Sequence, residues 1–181
     1  MRTLLLRPRM ICPAGTIIDV GAGRGSQIVA ILHSNPLSRG VLYDLPHVIP
    51  VAEKPLENAG LGERCECIAG DFFTSVPPGG DVYLLKKVIH DWDDERAQKI
   101  LTNCRAGMSS QARLLLVEHV LPAINEPSWS RWLDLQMLAL TPGGRERTET
   151  EYAALFASSG LALSRIIPTS GGPSIIVGVP T

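Results

Sequence analysis

The sequence predicts a single doubly wound α/β domain, in which helices cover both faces of a mostly parallel sheet. Three observations lead to this fold class. Short apolar segments alternate with helix-like segments along most of the 181 residues. Several of the short segments are apolar on both faces, as expected for strands buried between two helix layers. The last two are joined by a short glycine-rich turn, which predicts an antiparallel pair at the end of the sheet.

The first half of the chain contains strand, helix and turn signals in strict alternation. Apolar runs bounded by turn residues predict strands over 16–20, 40–45 and 64–69. Helical spacing predicts a helix over 24–33, which ends at Asn35-Pro36. A second helical segment covers 47–58, although Pro50 and Pro55 weaken that prediction because proline lacks the backbone N–H.

The second half continues the alternation and adds the closing hairpin. Strands are predicted over 81–86, 113–118, 161–167 and 174–179. A helix with its inner face at 97, 100, 101 and 104 starts at Asp93 or Asp94, either of which can cap it. Another helix covers 129–140, and Thr148 with Glu151 forms a capping-box sequence that opens a further helix.

Composition excludes several classes of protein. Seventeen basic and eighteen acidic residues give a net charge of -1, so no nucleic acid and no anionic membrane is expected as the main partner. No apolar stretch approaches the length of a membrane span, and Leu4–Leu6 is too short for a signal sequence. A cytoplasmic protein is the expectation.

The four cysteines are too few and too scattered for a disulfide framework. Cys65 and Cys67 share one face of a predicted strand, but no second pair stands at ligand spacing, so we expect buried or half-buried thiols, as for Cys12 and Cys104, and no metal.

A glycine loop, residues 21–25, follows the first predicted strand, where open α/β sheets bind their ligands. Its third glycine stands one position too early for a dinucleotide fingerprint, which disfavours a dehydrogenase. Asp44 ends the second strand about twenty residues later, where a carboxylate can accept hydrogen bonds from both ribose hydroxyls. Loop and acid together predict an adenosine ligand, and Asp71 and Phe72 after the third strand could meet its base.

Six motifs occur in the order found in one enzyme family: DVGAGRG, YDLPHV, GDFF, LLKKVIHDWDDE, LLLVEHVLP and TPGGRERTETEY. From about Thr16 to Val179 the chain resembles the C-terminal catalytic domain of the plant-type, caffeic acid methyltransferase-like O-methyltransferases, in their bacterial natural-product branch. The resemblance implies a Rossmann-like class I methyltransferase fold, with a seven-stranded, mostly parallel sheet and an antiparallel last strand. It also implies S-adenosyl-L-methionine as cofactor and a small hydroxylated molecule, for which a phenol is expected, as acceptor.

The resemblance also implies roles for individual residues. The residues matched to cofactor contacts are Gly21, Gly23, Asp44, Asp71, Phe72 and Lys86. His90 matches the general base, Glu118 and Glu146 flank it, and Asp91 is expected to help hold the acceptor. Such chemistry requires no metal, because a neutral imidazole can take the proton of the acceptor hydroxyl at cellular pH.

Each role has an alternative that the residues leave open. His90 can be a structural histidine before a helix, and Trp92 beside it can cover an adenine or simply pack. Glu146 stands between Arg145 and Arg147, so the three can form a solvated charge cluster.

The expected domain organisation is a short remnant, residues 1–15, followed by the catalytic domain over 16–181. Family members are homodimers and carry an N-terminal dimerisation domain, and about fifteen residues before the first strand are too few for one. The helix faces that such a domain covers are expected to be exposed and apolar. The alternative function is therefore a non-catalytic adenosyl-ligand-binding domain that is inactive without the N-terminal part.

Overall fold

The computed structural model describes residues 14–122, 128–170 and 172–181. Most of the predicted remnant, with Cys12, lies outside the described residues. The strands are β1 (Thr16–Val20), β2 (Arg39–Asp44), β3 (Cys65–Ala69), β4 (Val82–Lys86), β5 (Arg113–Glu118), β6 (Val120–Leu121), β7 (Arg147–Thr148), β8 (Leu161–Pro168) and β9 (Ser174–Pro180). The helices are α1 (Ser26–Ser34), α2 (Ile49–Asn58), α3 (Asp94–Gly107), α4 (Trp129–Leu140) and α5 (Glu149–Ser158), and Ile89–Asp91 forms a 3-10 turn.

The main sheet has seven strands in the order β3-β2-β1-β4-β5-β9-β8. Strands β1 to β5 pair in parallel, whereas β9 runs antiparallel to both β5 and β8. The predicted fold is therefore confirmed, including the antiparallel last strand. The chain reverses its direction of travel across the sheet between β1 and β4, and in such folds the ligand crevice lies at this point, at the carboxyl ends of the strands.

Two apolar clusters lie on opposite faces of the sheet, which explains why the central strands carry apolar residues on both faces. Ile17 belongs to the cluster that contains residues of α1 and α2, and its neighbour Ile18 to the cluster that contains residues of α3 and α5. Leu115 and Leu116 of β5 divide in the same way. Neighbouring side chains of a strand point to opposite faces, so a strand between two helix layers buries both sets.

The helix ends follow local signals closely. The N-cap of α3 is Asp93, whose Oδ1 accepts from the Arg96 amide at 2.8 Å, and Asp94 is the first helical residue. The capping box of Thr148 and Glu151 is complete at the start of α5. The helix α2 forms despite its prolines: Pro50 lies in the first turn, where no amide donor is needed, although Pro55 lies inside the helix.

The structure adds two elements that the sequence pattern did not predict. The two-residue strands β6 and β7 pair in parallel as a separate small sheet, with Val120 opposite Arg147. The 3-10 turn Ile89–Asp91 carries His90 between β4 and α3. Both elements are too short for apolar periodicity to reveal.

The helix α4 differs from the others because most of its apolar side chains face outward. The exposed apolar residues of α4 are Trp129, Trp132, Leu135, Leu138 and Leu140. This agrees with the expectation of an apolar helix face that nothing in the described part of the chain covers. Within the described residues, no helix combines the length and hydropathy that crossing a membrane requires.

Burial raises the pKa of the Cys65 and Cys104 thiols to about 12, and both are free thiols, as is the half-buried Cys67.

Candidate active site

The glycine loop adopts a backbone that requires glycine. Gly21, Gly23 and Gly25 all have left-handed φ angles, of 71°, 57° and 69°. A Cβ at Gly21 would come within 2.9 Å of the Val88 side chain, whereas a Cβ at Gly23 would meet nothing within 4 Å. A Cβ at Gly25 would come 2.8 Å from the Leu42 side chain, so the loop packs closely at both ends and leaves open space at Gly23 between them.

Strand β2 holds this loop in place through Asp44 and its neighbour. The Gly23 amide donates to Oδ2 of Asp44 at 2.7 Å, and the Gly21 amide donates to the Tyr43 carbonyl at 2.9 Å. Oδ1 of Asp44 accepts from the Leu45 amide at 2.7 Å. Each carboxylate oxygen has two lone pairs, so the half-exposed Asp44 retains acceptor capacity for hydroxyl groups.

The other residues predicted to contact a cofactor lie at neighbouring strand ends. Asp71 follows β3, and its Oδ1 accepts from the Phe73 amide at 2.8 Å. The ring of Phe72 lies 3.5 Å from the position of a Cβ at Gly21. Lys86 ends β4, and its Nζ donates to the Gln27 side chain at 2.9 Å. The structure thus brings these predicted residues to the edge where β1 to β4 end.

Asp19 is a buried acid at the same edge that the sequence analysis did not assign. Burial raises its pKa to about 7, against the lowering effect of the Lys86 charge, and the nearby Asp44 raises it further. Its Oδ2 is buried without a hydrogen-bond partner among the described atoms. Its position two residues before Gly21, between the apolar residues Ile18 and Val20, is the signal that could have marked it.

His90, Glu118 and Glu146, hereafter the His90 trio, converge from three separate segments. Nδ1 of His90 lies 3.0 Å from Oε1 of Glu146 and 3.8 Å from Oε2 of Glu118. All three residues are buried, with exposed fractions of 8%, 0% and 2%. His90 is the predicted base, and both predicted flanking glutamates do lie beside it.

The hydrogen bond with Glu146 determines which imidazole nitrogen is free. A carboxylate only accepts, so Nδ1 carries the hydrogen and Nε2 keeps its lone pair in the neutral ring. Burial lowers the pKa of His90, but the hydrogen bond with Glu146 and the negative charges of Glu118, Glu146 and Asp91 outweigh that effect, and the pKa is raised. The arrangement therefore makes the imidazole more basic and leaves its lone pair on Nε2.

Glu118 also fixes the backbone around His90. Its Oε1 accepts from the amides of Val88 and Ile89, both at 3.0 Å, while Oε2 faces His90 without a close partner among the described atoms. Burial raises the pKa of Glu118 to about 7, although the His90 charge and the two amide hydrogen bonds lower it. Glu118 thus holds the 3-10 turn as well as adding charge beside the ring.

The alternative of a solvated charge cluster is wrong for two of its three residues, Glu146 and Arg147. Glu146 and Arg147 are buried, and only Arg145 extends toward solvent, where it pairs with Asp94 and Glu151. Arg147 pairs with Val120 in the small sheet of β6 and β7. Strands of two residues leave no periodic signal in the sequence, so this burial could not be predicted from it. The Glu146 amide also donates to Asp134 of α4 at 2.9 Å.

Asp91 and Trp92 directly follow His90 in the chain. Oδ1 of Asp91 is 3.5 Å from Nε2, so the predicted acceptor residue borders the free nitrogen. Trp92 makes edge-on contacts with Phe73 at 4.8 Å and Phe72 at 6.3 Å between ring centroids. These contacts favour the alternative in which Trp92 packs against other side chains. Its ring also lies beside Phe72, one of the predicted cofactor residues.

In the described part of the chain, the His90 trio is also the cluster of His, Cys, Asp or Glu side chains that could hold a metal ion. One possible ligand atom of each residue lies within 4.8 Å of the others. The Nδ1 atom that would bind a metal there already donates to Glu146 at 3.0 Å. The geometry is that of a hydrogen-bonded imidazole, and the expectation of no metal stays a prediction.

Comparisons with known proteins agree with the family resemblance of the sequence motifs. A family described as the O-methyltransferase domain matches residues 2–162. Phenazine O-methyltransferase PhzM of Lysobacter antibioticus is 51% identical over 93% of this chain and 49% of its own length. Mitomycin biosynthesis 6-O-methyltransferase of Streptomyces lavendulae is 42% identical over 92% of this chain and 47% of its own length.

Solved structures agree with the sequence relatives. The crystal structure of LaPhzM matches with a TM-score of 0.88 and 51% identity, over 93% of this chain and 51% of that one. The O-methyltransferase NcsB1 from neocarzinostatin biosynthesis, solved with S-adenosylmethionine and 2-hydroxy-5-methyl naphthoic acid, matches with a TM-score of 0.84 and 33% identity, over 93% of this chain and 49% of that one. The chain spans about half the length of these relatives, and by its matched domain and these identities it belongs to the O-methyltransferase family.

Proposed function

We propose that this chain is the catalytic part of an S-adenosylmethionine-dependent O-methyltransferase that methylates a phenolic hydroxyl of a small molecule. The observation that carries the proposal is the hydrogen bond from Nδ1 of His90 to Glu146 at 3.0 Å, because it leaves Nε2 free to act as a base. The finer points, His90 as base and a phenol as acceptor, rest on this geometry and on the named acceptors of relatives.

The residues present fit the cofactor. Open space at Gly23, the carboxylate of Asp44 beside it and the ring of Phe72 near Gly21 suit an adenosyl group bound along the loop. Lys86, near the buried Asp19, adds charge at the end of β4. When bound, S-adenosylmethionine supplies an electrophilic methyl group on a positively charged sulfur.

His90 performs the proton transfer in this proposal. Nε2 removes the proton of the acceptor hydroxyl, and the oxygen lone pair then forms the new bond to the methyl carbon as the sulfur–carbon bond breaks. Glu146 and Glu118 stabilise the imidazolium that results, and the proton then leaves to solvent. Val88 joins the two halves, because its side chain packs against Gly21 and its amide donates to Glu118.

The acceptor proposed here is a planar aromatic hydroxyl compound. Relatives are named for phenazine and mitomycin, and NcsB1 was solved with a hydroxynaphthoic acid. In this chain, Asp91 borders the free nitrogen of His90 and is placed to orient the hydroxyl.

The alternative function is a non-catalytic domain that binds the adenosyl ligand but requires another polypeptide segment for turnover. The exposed apolar face of α4 favours it, because Asp134 on the same helix holds the Glu146 amide. A face left uncovered would loosen one support of the His90 trio.

Two measurements test the proposal. Calorimetry with S-adenosylmethionine and its demethylated product should show binding that NAD does not compete for; tight NAD binding would contradict the cofactor assignment. Methyl transfer to hydroxyphenazines and hydroxynaphthoic acids should be weak for this chain alone and strong when the N-terminal half of a relative is fused in front. Binding without turnover in either protein would favour the non-catalytic alternative.

A further inference from the structure

We propose that Arg147 is a positioning residue for His90: its guanidinium holds the backbone on both sides of the histidine and so keeps the imidazole in reach of Glu146. This inference rests on the proposed function, in which His90 is the base. Arg147 makes no described contact with the glycine loop or Asp44, so its role is separate from cofactor binding.

The hydrogen bonds of Arg147 bracket the 3-10 turn. Nη1 donates to the Ile89 carbonyl at 3.1 Å, and Nη2 donates to the Trp92 carbonyl at 2.8 Å. These carbonyls lie on either side of His90 and Asp91. Nε and Nη2 also donate to Oδ1 of Asp94, at 3.0 and 2.8 Å. One side chain thus joins the beginning of the turn, its end and the first residue of α3.

The main chain of Arg147 lies close to both glutamates of the His90 trio. Glu146, which holds the imidazole ring, is its neighbour in sequence. Pairing of β6 with β7 places Val120 opposite Arg147, two residues after Glu118. The segment 146–147 therefore contacts the His90 region in two ways. Glu146 forms a hydrogen bond with the imidazole ring, and Arg147 donates to the backbone carbonyls on either side of it. A shift of the Arg147 side chain would move the ring relative to its partner.

Charge pairing alone does not explain a buried guanidinium here. Its only described ion-pair partner, Asp94, has a side chain that is 60% exposed, so solvent screens that pair, whereas the Arg147 side chain is 0% exposed. Burying a charge is costly unless its donors are used. Of its five described hydrogen bonds, two go to the carbonyls at the two ends of the His90 turn, two to Asp94 just after the turn and one to the Arg145 carbonyl. This distribution indicates that the residue holds the turn against the start of α3.

Arginine suits this position better than lysine. Its planar fork carries five N–H donors in fixed directions, so it can reach the two turn carbonyls and Asp94 at once, while an ammonium on a flexible stem reaches fewer. Arg147→Lys keeps the charge and removes the fork. A change in the pKa of His90 in this variant then reports altered geometry rather than lost charge, since Asp91, Glu118, Glu146 and His119 still surround the ring.

The experiment is a pH titration of the His90 ring by NMR in the parent chain and in Arg147→Lys, with methyl transfer and cofactor calorimetry measured in parallel. We expect the raised pKa of His90 to fall toward its ordinary value and kcat to fall about 10- to 100-fold, because a base must lie within hydrogen-bonding reach of its proton. Cofactor affinity should not change. Arg145→Lys is the matched control, since Arg145 also contacts Asp94 but no carbonyl of the turn.

Several outcomes would overturn the proposal. An Arg147→Lys variant with the parent's His90 titration contradicts it whether or not the chain turns over, so its failure is distinct from failure of the proposed function. Asp94→Asn removes the ion pair but leaves the carbonyl contacts, and it should retain the parent titration and kcat. If Arg147→Lys does not fold, Asp94→Asn decides: a His90 pKa shifted in that variant would show that Arg147 acts through Asp94 and not through the turn.

Discussion

The glycine loop and the His90 trio meet at Val88, yet they are built in opposite ways. The loop is partly open, and its geometry comes from backbone angles and amide hydrogen bonds to Tyr43 and Asp44. The trio is buried, and its geometry comes from side chains that lie far apart in sequence, such as His90 and Glu146, which are 56 positions apart.

This difference predicts different sensitivities. A site built from local backbone tolerates changes elsewhere in the fold, because the loop and β2 carry their own hydrogen bonds. A site assembled from distant side chains depends on every element that brings them together, including β6, β7 and the 3-10 turn. Cofactor binding and methyl transfer are therefore expected to separate under mutation.

The largest effect expected is that of His90→Ala on methyl transfer. Removing the base should lower kcat about 10²- to 10⁴-fold, the range typical of general-base catalysis, while cofactor affinity stays unchanged because the ring does not contact the glycine loop. Methyl-transfer kinetics and calorimetry on the same preparation check this, with the exposed His33→Ala as control. A matching loss of cofactor affinity would show that the two regions are not separable.

The converse change is Asp44→Ala, which should act on binding. Loss of hydrogen bonds from a carboxylate to two ribose hydroxyls should weaken the affinity for S-adenosylmethionine about 100-fold, since each charged hydrogen bond contributes about 1.5 kcal/mol or more. Titration calorimetry measures the change, and Glu57→Ala on the exposed face of α2 is the matched control. Unchanged affinity would remove Asp44 from the cofactor site.

A smaller effect is expected for Glu118→Gln, which keeps an oxygen for the Val88 and Ile89 amides but removes the negative charge. The value of kcat should fall about tenfold, because the imidazolium loses one stabilising charge while the base remains. The Glu118 charge raises the pKa of His90, so its removal lowers that pKa. The acid limb of the pH–rate profile, where protonation inactivates the base, should move to lower pH. A move to higher pH contradicts this electrostatic role.

The smallest effect is expected for Tyr152→Phe beside the trio. The Tyr152 hydroxyl is buried without a described hydrogen-bond partner, and the charges of Glu118 and Glu146 add to burial in raising its pKa. Removing an unsatisfied hydroxyl should change the free energy of unfolding by less than about 1 kcal/mol. Tyr83→Phe is the control in denaturant unfolding, because the Tyr83 hydroxyl donates to the Gly107 carbonyl at 2.6 Å and its loss should destabilise. A large loss for Tyr152→Phe would reveal a bond that joins the phenol to the trio.

Much of the fold could be predicted because its signals are local. The strand β1, the helix α4 and the capping box at Thr148 appear where the sequence places them. Elsewhere the ends differ by a residue or two: α1 begins at Ser26 rather than at Arg24, because Gly25 still has a left-handed backbone and lies before the helix. Asp93 rather than Asp94 caps α3, a choice that the sequence left open.

The sequence by itself determined the doubly wound sheet, the glycine loop and the acid at the end of β2, because apolar periodicity, glycine spacing and the alternation of strand and helix signals can be read over short stretches of chain. It supplied the trio through a family resemblance, not through geometry. The tertiary structure alone decided that Glu146 and Arg147 turn inward, that Glu118 binds the amides of the His90 turn, and that Asp19 is a buried acid. Those features depend on the pairing of short distant segments and on the low-dielectric interior that results, and neither leaves a periodic pattern in the chain.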